Sequence, residues 1–308
     1  MSKTRNVAAS VRQRLLNHST QINADHNLVL IWYGIERLLY RLSLSPHRDK
    51  FVLKGAMLFR VWSGTNFRAT KDLDLLGFVR EEAEPLRQIF VSICEQDVED
   101  DGLVFDASNV QIAPIRDDQD YGGFRLSLSA KLGTARVPIQ VDVGIGDAIT
   151  PAPQSTDFPT MLNQPQPHIR IYPRETVVAE KIDAIVQLGM ANSRMKDYYD
   201  LWFLSRRFEF AGSVLAPAIR ATFSRRETAI PTSTPIGLTA EFAKDGSHVR
   251  QWAAFNKRIG TDAPAALETV VETVAAFALP VVQVVSTSRA FDRAWTPQSG
   301  WQQSRPQT

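Results

Sequence analysis

The stretch Lys54–Phe78, KGAMLFRVWSGTNFRATKDLDLLGF, decides the reading of this chain. Met57, Leu58, Val61 and Trp62 follow Gly55 at helical spacing and predict a short apolar helix. Leu73, Leu75, Leu76 and Phe78 predict a buried strand at the end of the stretch. Residues i and i+2 of a strand share a face, about 6.6 Å apart. Asp72 and Asp74 therefore project side by side from an otherwise apolar element. Two close carboxylates repel, and burial raises the cost of each charge. A divalent cation removes both penalties, and Mg²⁺ prefers hard oxygen ligands of this kind. Against this stands the plain alternative that two aspartates end a strand and face water.

The surroundings favour a site. Phe51, Val52 and Leu53 run into Gly55, where the missing side chain lets a phosphate approach backbone N–H groups at a helix start. Arg68 and Thr70 precede the carboxylates and suit phosphate oxygens. A phosphate seat, a cationic side chain and a metal-binding carboxylate pair are the parts that nucleotidyl transfer needs.

This pattern resembles the nucleotidyltransferase superfamily related to DNA polymerase β, in which G-[G/S] on a helix precedes D-x-D on a strand. More narrowly it resembles the AbiEii/AbiGii toxin family, with K-G-G, a gap and R-x-[S/T]-x-D-x-D. Here the motif reads Lys54-Gly55-Ala56, then Arg68-Ala69-Thr70-Lys71-Asp72-Leu73-Asp74. Ala56 departs from the usual Gly or Ser; it allows close approach but offers no hydroxyl. The resemblance implies a seat for a nucleoside triphosphate at Gly55, Ala56, Arg68 and Thr70, with Mg²⁺ on Asp72 and Asp74.

Two further motifs extend the likeness. Glu175-Thr176-Val177-Val178-Ala179-Glu180-Lys181-Ile182 resembles the family's third motif, and Lys196-Asp197-Tyr198-Tyr199-Asp200-Leu201 its fourth, R-D-x-x-D-L, with Lys196 for Arg. By its face alone Lys181 borders an apolar stripe, where a lysine ordinarily extends to solvent. The resemblance instead implies a catalytic lysine whose charge meets the triphosphate. It also implies that Asp197 is essential, either orienting the acceptor or holding Lys181. Asp200 reads as structural, capping or pairing within its own helix. The superfamily places a third carboxylate on a strand beside the D-x-D strand. Asp142, between Val141 and Val143, matches that metal position by order. Asp147, after Gly144 and Gly146, is the rival and reads more naturally as a turn cap.

Around these motifs the pattern predicts helices within residues 1–48, a helix over Glu81–Glu99, and strands over Val110–Ile115, Phe124–Leu132 and Val137–Ile145, with a turn at Asp120–Gly123. Helices follow over Arg174–Met190 and Arg194–Arg207, then a helical region to Val285. The expected architecture is α+β: a polymerase β-like core, a mixed sheet with flanking helices, plus a C-terminal helical lobe and a site in the cleft between them. Residues 1–150 hold the N-terminal helices and the core, 151–173 a Pro-rich connector, 174–285 the lobe with the Lys and Asp motifs, and 286–308 a mobile polar tail.

A length of 308 residues suits two lobes, and 44% apolar with 22% charged residues suits a globular protein. The lone Cys94 excludes an internal disulfide and fits a reducing cytoplasm. The apolar run Thr273–Val285 is interrupted by Pro280 and reads as too short to span a bilayer, so no membrane partner is expected. The five histidines are scattered and give no zinc spacing. With a net charge of only +2, nucleic-acid binding must use a local patch. The basic clusters Arg220, Arg225, Arg226 and Lys257, Arg258 are the candidates.

The resemblance thus implies a Mg²⁺-dependent transfer of a nucleoside monophosphate from an NTP, in the toxin of a toxin–antitoxin or phage-defence pair. The expected acceptor is a tRNA 3′ end, and the antitoxin is encoded nearby. The alternatives are a nucleotidyltransferase for a protein or a small molecule such as an antibiotic, and a non-catalytic binding protein on the same fold.

Overall fold

Alternation of buried and exposed residues shapes the long strands in the first half of the molecule. The computed structural model describes residues 6–64, 70–115, 122–260, 263–287 and 289–303. The chain divides into two units, Met1–Gly146 with Gln154–Tyr172, and Asp147–Pro153 with Pro173–Thr308.

The first unit begins with two helices, α1 (Val7–Gln21) and α2 (His26–Leu44). Asn6 and Asp25 cap them by accepting from the N–H groups of Ala9 and Leu28, as short polar side chains do at a helix start. There follow β1 (Phe51–Lys54), α3 (Leu58–Ser63), β2 (Asp72–Gly77), α4 (Ala83–Cys94), β3 (Leu103–Phe105), β4 (Gln111–Pro114), β5 (Gly123–Leu132), β6 (Ala135–Ile145), β7 (Gln154–Asp157) and β8 (His168–Ile171). Among the described residues these strands form an eight-stranded sheet in the order β3-β5-β6-β2-β1-β8-β7, with β4 also on β5. It is mixed, as expected: β2 pairs antiparallel with β1 and parallel with β6.

One face of this sheet is core. Phe124, Leu126 and Leu128 of β5 and Val137, Ile139, Val141 and Val143 of β6 are buried, and α2 packs against β6. Gly34 lets the helix come that close, since a Cβ there would meet Ile139 at 2.9 Å. The other face is polar: Arg125 and Ser127 of β5 and Arg136 of β6 are exposed. The expected turn at Asp120–Gly123 lies partly outside the described residues.

Polar groups on α2 fix the chain ahead of β8. Glu36 accepts from the N–H of Met161 at 2.8 Å and Arg37 donates to the carbonyl of Pro165 at 2.9 Å, both side chains being buried. Burial pushes the Glu36 carboxyl above the usual carboxylate range, against the pull of Arg37. Residues 151–173 are therefore no simple connector. They contain the β7–β8 hairpin, and β8 lies parallel beside β1, with Ile169 and Ile171 buried. A four-residue strand between prolines is too short for its alternation to register in the sequence.

The second unit holds α5 (Arg174–Leu188), α6 (Met195–Arg207), β9 (Phe210–Ala211), α7 (Gly212–Arg225), α8 (Ala240–Lys244), α9 (Gly246–Ile259), α10 (Leu267–Ser286), β10 (Arg293–Thr296) and β11 (Gly300–Gln303). Contrary to the expectation of a short interrupted run, α10 continues through Pro280 for 20 residues and is long and apolar enough to cross a membrane by length and composition. Its Val270, Val274, Phe277 and Val281 are buried, and it packs against α6, α7 and α8, so it reads as a core helix.

The mobile tail expected from residue 286 also needs correction. Strands β9, β10 and β11 form a three-stranded sheet. The indole N–H of Trp295 donates to the carbonyl of Ser205 at 2.7 Å, and that of Trp301 to the carbonyl of Phe277 at 2.8 Å. Both rings also contact Phe277. Polar composition hid a segment anchored by its two tryptophans.

Replacing Trp295 with Ala should cost about 3–5 kcal/mol, as for other buried aromatic truncations. Urea unfolding measures this, and an unchanged midpoint would return residues 289–303 to a mobile tail.

Candidate active site

Register on the polar face of the first sheet brings charged side chains into a row. Asp74 of β2 stands opposite Asp142 of β6 on one side and Lys54 of β1 on the other. Asp142 in turn stands opposite Arg125 of β5. The next row on the same face runs Asp72, Gln140, Ser127, Gln111. Asp72 and Asp74 are half-buried while Leu73 and Leu75 between and beyond them are buried, so the D-x-D alternation is real.

Gly55 is pressed against Asp74. A Cβ at Gly55 would lie 1.9 Å from Asp74 Oδ2, and its φ of +71° is in the left-handed region that favours glycine. Ala56, by contrast, is 6% exposed, so its side chain is a packing group. The Thr70 hydroxyl lies at 3.4 Å from the N–H and the carbonyl of Asp72, and the Thr70 carbonyl accepts from Trp32 Nε1 at 2.7 Å. Thr70 thus steadies the entry to β2. Arg68 lies outside the described residues.

Asp142 has its expected neighbour but also a partner the sequence did not announce. Arg125 grips it in a two-pronged ion pair, Nε to Oδ1 at 2.8 Å and one terminal nitrogen to Oδ2 at 2.7 Å. Cross-strand pairing of positions 125 and 142 was available only once the register was known. Among the described residues no group of three or more His, Cys, Asp and Glu side chains is arranged to hold a metal ion. The donor set that fits a hard divalent cation is the Asp72–Asp74 pair, cradled by Gly55.

In the second unit Lys181 does not extend to solvent. Its Nζ lies 2.7 Å from Asp197 Oδ1 and 2.7 Å from Asp200 Oδ2, with side-chain exposures of 14%, 7% and 1%. Of the roles open to Asp197, holding Lys181 is the one seen in the geometry. Asp200 also differs from expectation, since it pairs with Lys181 of α5 rather than within its own helix.

A second buried knot involves Arg226. Its guanidinium lies 3.1 Å from Asp183, 3.2 Å from Asp147 and 3.6 Å from Glu180. Burial works against this charge, but Glu180, Asp147 and Asp183 outweigh it and hold the group above its ordinary range. Burial likewise raises the Asp183 carboxyl. Arg226 is therefore no part of a surface basic patch, and Asp147 is its partner rather than a turn cap. Arg220, Arg225, Lys257 and Arg258 are exposed.

Comparison with known proteins gives one family. The model described as nucleotidyl transferase AbiEii toxin, type IV TA system, matches residues 37–294. No curated protein matches the chain. Two solved structures are similar, each at 16% identity and a TM-score of 0.44. One is described as a candidate nucleotidyltransferase from H. pylori, the other as JHP933 from Helicobacter pylori. They cover 83% and 84% of this chain, and 93% and 92% of their own.

Two predictions test the geometry. Gly55→Ala should lower nucleotide transfer by on the order of 10², because the new methyl displaces the Asp74 carboxylate. Gly64→Ala is the control: its φ is +65° but nothing lies within 4 Å of a Cβ there, so it carries backbone strain alone. Equal initial rates in the two variants would detach Gly55 from the site. Lys181→Met should cost about 3–5 kcal/mol in urea unfolding, since it strands two buried carboxylates, and adding Asp200→Asn should recover part of it. A lysine that merely covers apolar surface would produce no such rescue.

Proposed function

Because the chain belongs to the AbiEii family of nucleotidyl transferase toxins of type IV toxin–antitoxin systems, we propose that it moves a nucleoside monophosphate from an NTP to the 3′ end of tRNA, using Mg²⁺. The observation that carries this reading is the polar row beside Gly55, where Asp72 and Asp74 offer paired oxygens on one sheet face. The acceptor hydroxyl oxygen forms a bond to the α-phosphorus, the bond from that phosphorus to the β-bridging oxygen breaks, and pyrophosphate leaves. The hydroxyl proton passes to solvent.

Each residue has a physical task in this scheme. Asp72 and Asp74 would hold Mg²⁺, which supplies neutralisation of the phosphate charge. Asp142 takes the third acidic position, with Arg125 as the counter-ion that keeps two adjacent carboxylates compatible. Gly55 leaves room for the Asp74 carboxylate, Thr70 sets the entry to β2, and Arg68 serves the phosphates. Lys181 supplies positive charge for the triphosphate, and Asp197 orients it. The family implies an antitoxin partner and a nucleotide substrate. We place the reaction in the cytoplasm, where NTPs and tRNA are found. Family membership removes the alternative of a non-catalytic binding protein.

Incubation with each radiolabelled NTP, total tRNA and Mg²⁺ tests the reading. Asp72→Asn and Asp74→Asn should each abolish labelling while leaving the melting temperature near that of the unmodified protein. Undiminished incorporation in either variant would sink the carboxylate assignment. Labelling of a protein or a small molecule instead of RNA would transfer the acceptor role to that class.

A further inference from the structure

Beside Asp72 the polar face of the first sheet sinks into a groove of about 360 Å³. Lys71, Asp72, Gln111, Ser127, Gln140 and Arg136 line it. Asp72, Gln140, Ser127 and Gln111 form one cross-strand row, so the groove runs across β2, β6, β5 and β4. Arg136 lies six residues before Asp142 on β6, and Lys131 of β5 stands opposite Arg136. At a strand's rise the distance from Asp142 to Arg136 is about 20 Å. The charges are therefore paired at one end of the face and unopposed at the other. Carboxylates Asp72, Asp74 and Asp142 lie at the inner end with Lys54, Lys71 and Arg125 beside them, whereas Arg136 and Lys131 face each other at the outer end with no carboxylate among the described residues of their row.

We propose that this groove binds the sugar–phosphate backbone of the RNA acceptor and leads its terminal hydroxyl to Asp72. The inference rests on the proposed function and adds the surface that holds the acceptor. A polyanion is attracted to the outer cations, and its uncharged end hydroxyl can approach the acids without charge repulsion. No lining residue is aromatic, so the groove offers no platform for stacking a base. It offers instead cations for phosphate oxygens, and amides and hydroxyls for ribose 2′-hydroxyls. Arg136 and Lys71 are exposed, and among the described residues no ion pair holds either one. This differs from Arg226, whose charge is committed inside the second unit.

The test uses the full chain, the double variant Lys71→Gln/Arg136→Gln, total tRNA and a short single-stranded RNA with a 3′-hydroxyl. Binding of the short RNA is followed by fluorescence anisotropy against salt, and transfer by label incorporation against RNA and against NTP concentration. Loss of two phosphate contacts should lower the slope of log K against log salt by about 1.4. The KM for RNA should rise at least tenfold, with the KM for NTP unchanged. If the unmodified chain labels RNA and the variant shows the same slope and KM, the groove is not the acceptor path, while the proposed function stands. If the KM for NTP rises instead, the groove holds the nucleotide and the proposal is overturned. If the unmodified chain neither binds nor labels RNA, the tRNA reading fails and the groove assignment fails with it.

Discussion

Two carboxylates on neighbouring strands, Asp74 and Asp142, set the terms for the first unit. They stand opposite each other across a parallel pair, where strands lie about 4.8 Å apart. Repulsion at that spacing must be offset. The sheet does so with a cation on each flank, Lys54 beyond Asp74 and Arg125 beyond Asp142. The row is thus plus, minus, minus, plus. The groove beside Asp72 lies on the same polar face of the sheet.

The second unit uses charge differently. Lys181 and Arg226 are each nearly enclosed by carboxylates, with side-chain exposures of 14% and 13%. Such clusters add little net stability relative to apolar packing, but they are costly to break and they fix geometry. Glu180, Lys181 and Asp183 are near neighbours on α5, so the two knots share one helix. The second knot also fastens the short segment containing Asp147 to α5 and to Arg226. Rigid placement of the Lys181 ammonium is the plain consequence.

What was legible in the sequence had local causes. The D-x-D strand and the strands around Leu126 and Val141 announced themselves because each alternates or is apolar over its whole length. The helices carrying Lys181 and Asp197 did so through their apolar faces. Illegible features had long-range causes. Strand β8 is four residues long and gains its meaning only from β1, far earlier in the chain. The strands of the C-terminal segment depend on Trp295 and Trp301 reaching helix carbonyls. Arg225 and Arg226 look alike as neighbours; only the fold turns one outward and buries the other among acids. Arg125 was passed over for a like reason, because its partner lies 17 residues away across a hairpin.

The parallel pairing of β8 with β1 has a consequence for synthesis. The chain leaves the first unit at residue 147, makes a short excursion in the second, and returns at residue 154 to supply β7 and β8. A nascent chain emerging from the ribosome as far as Pro153 already contains the D-x-D strand, the core helices and six of the strands. Strand β1, however, has β2 on one side only, and its other edge is a bare row of backbone donors and acceptors. Until Tyr172 arrives and its N–H reaches the carbonyl of Leu53 at 2.9 Å, that edge is open to mispairing with any other strand. Translation past this point, rather than completion of the acidic strand, is what covers the free edge of β1.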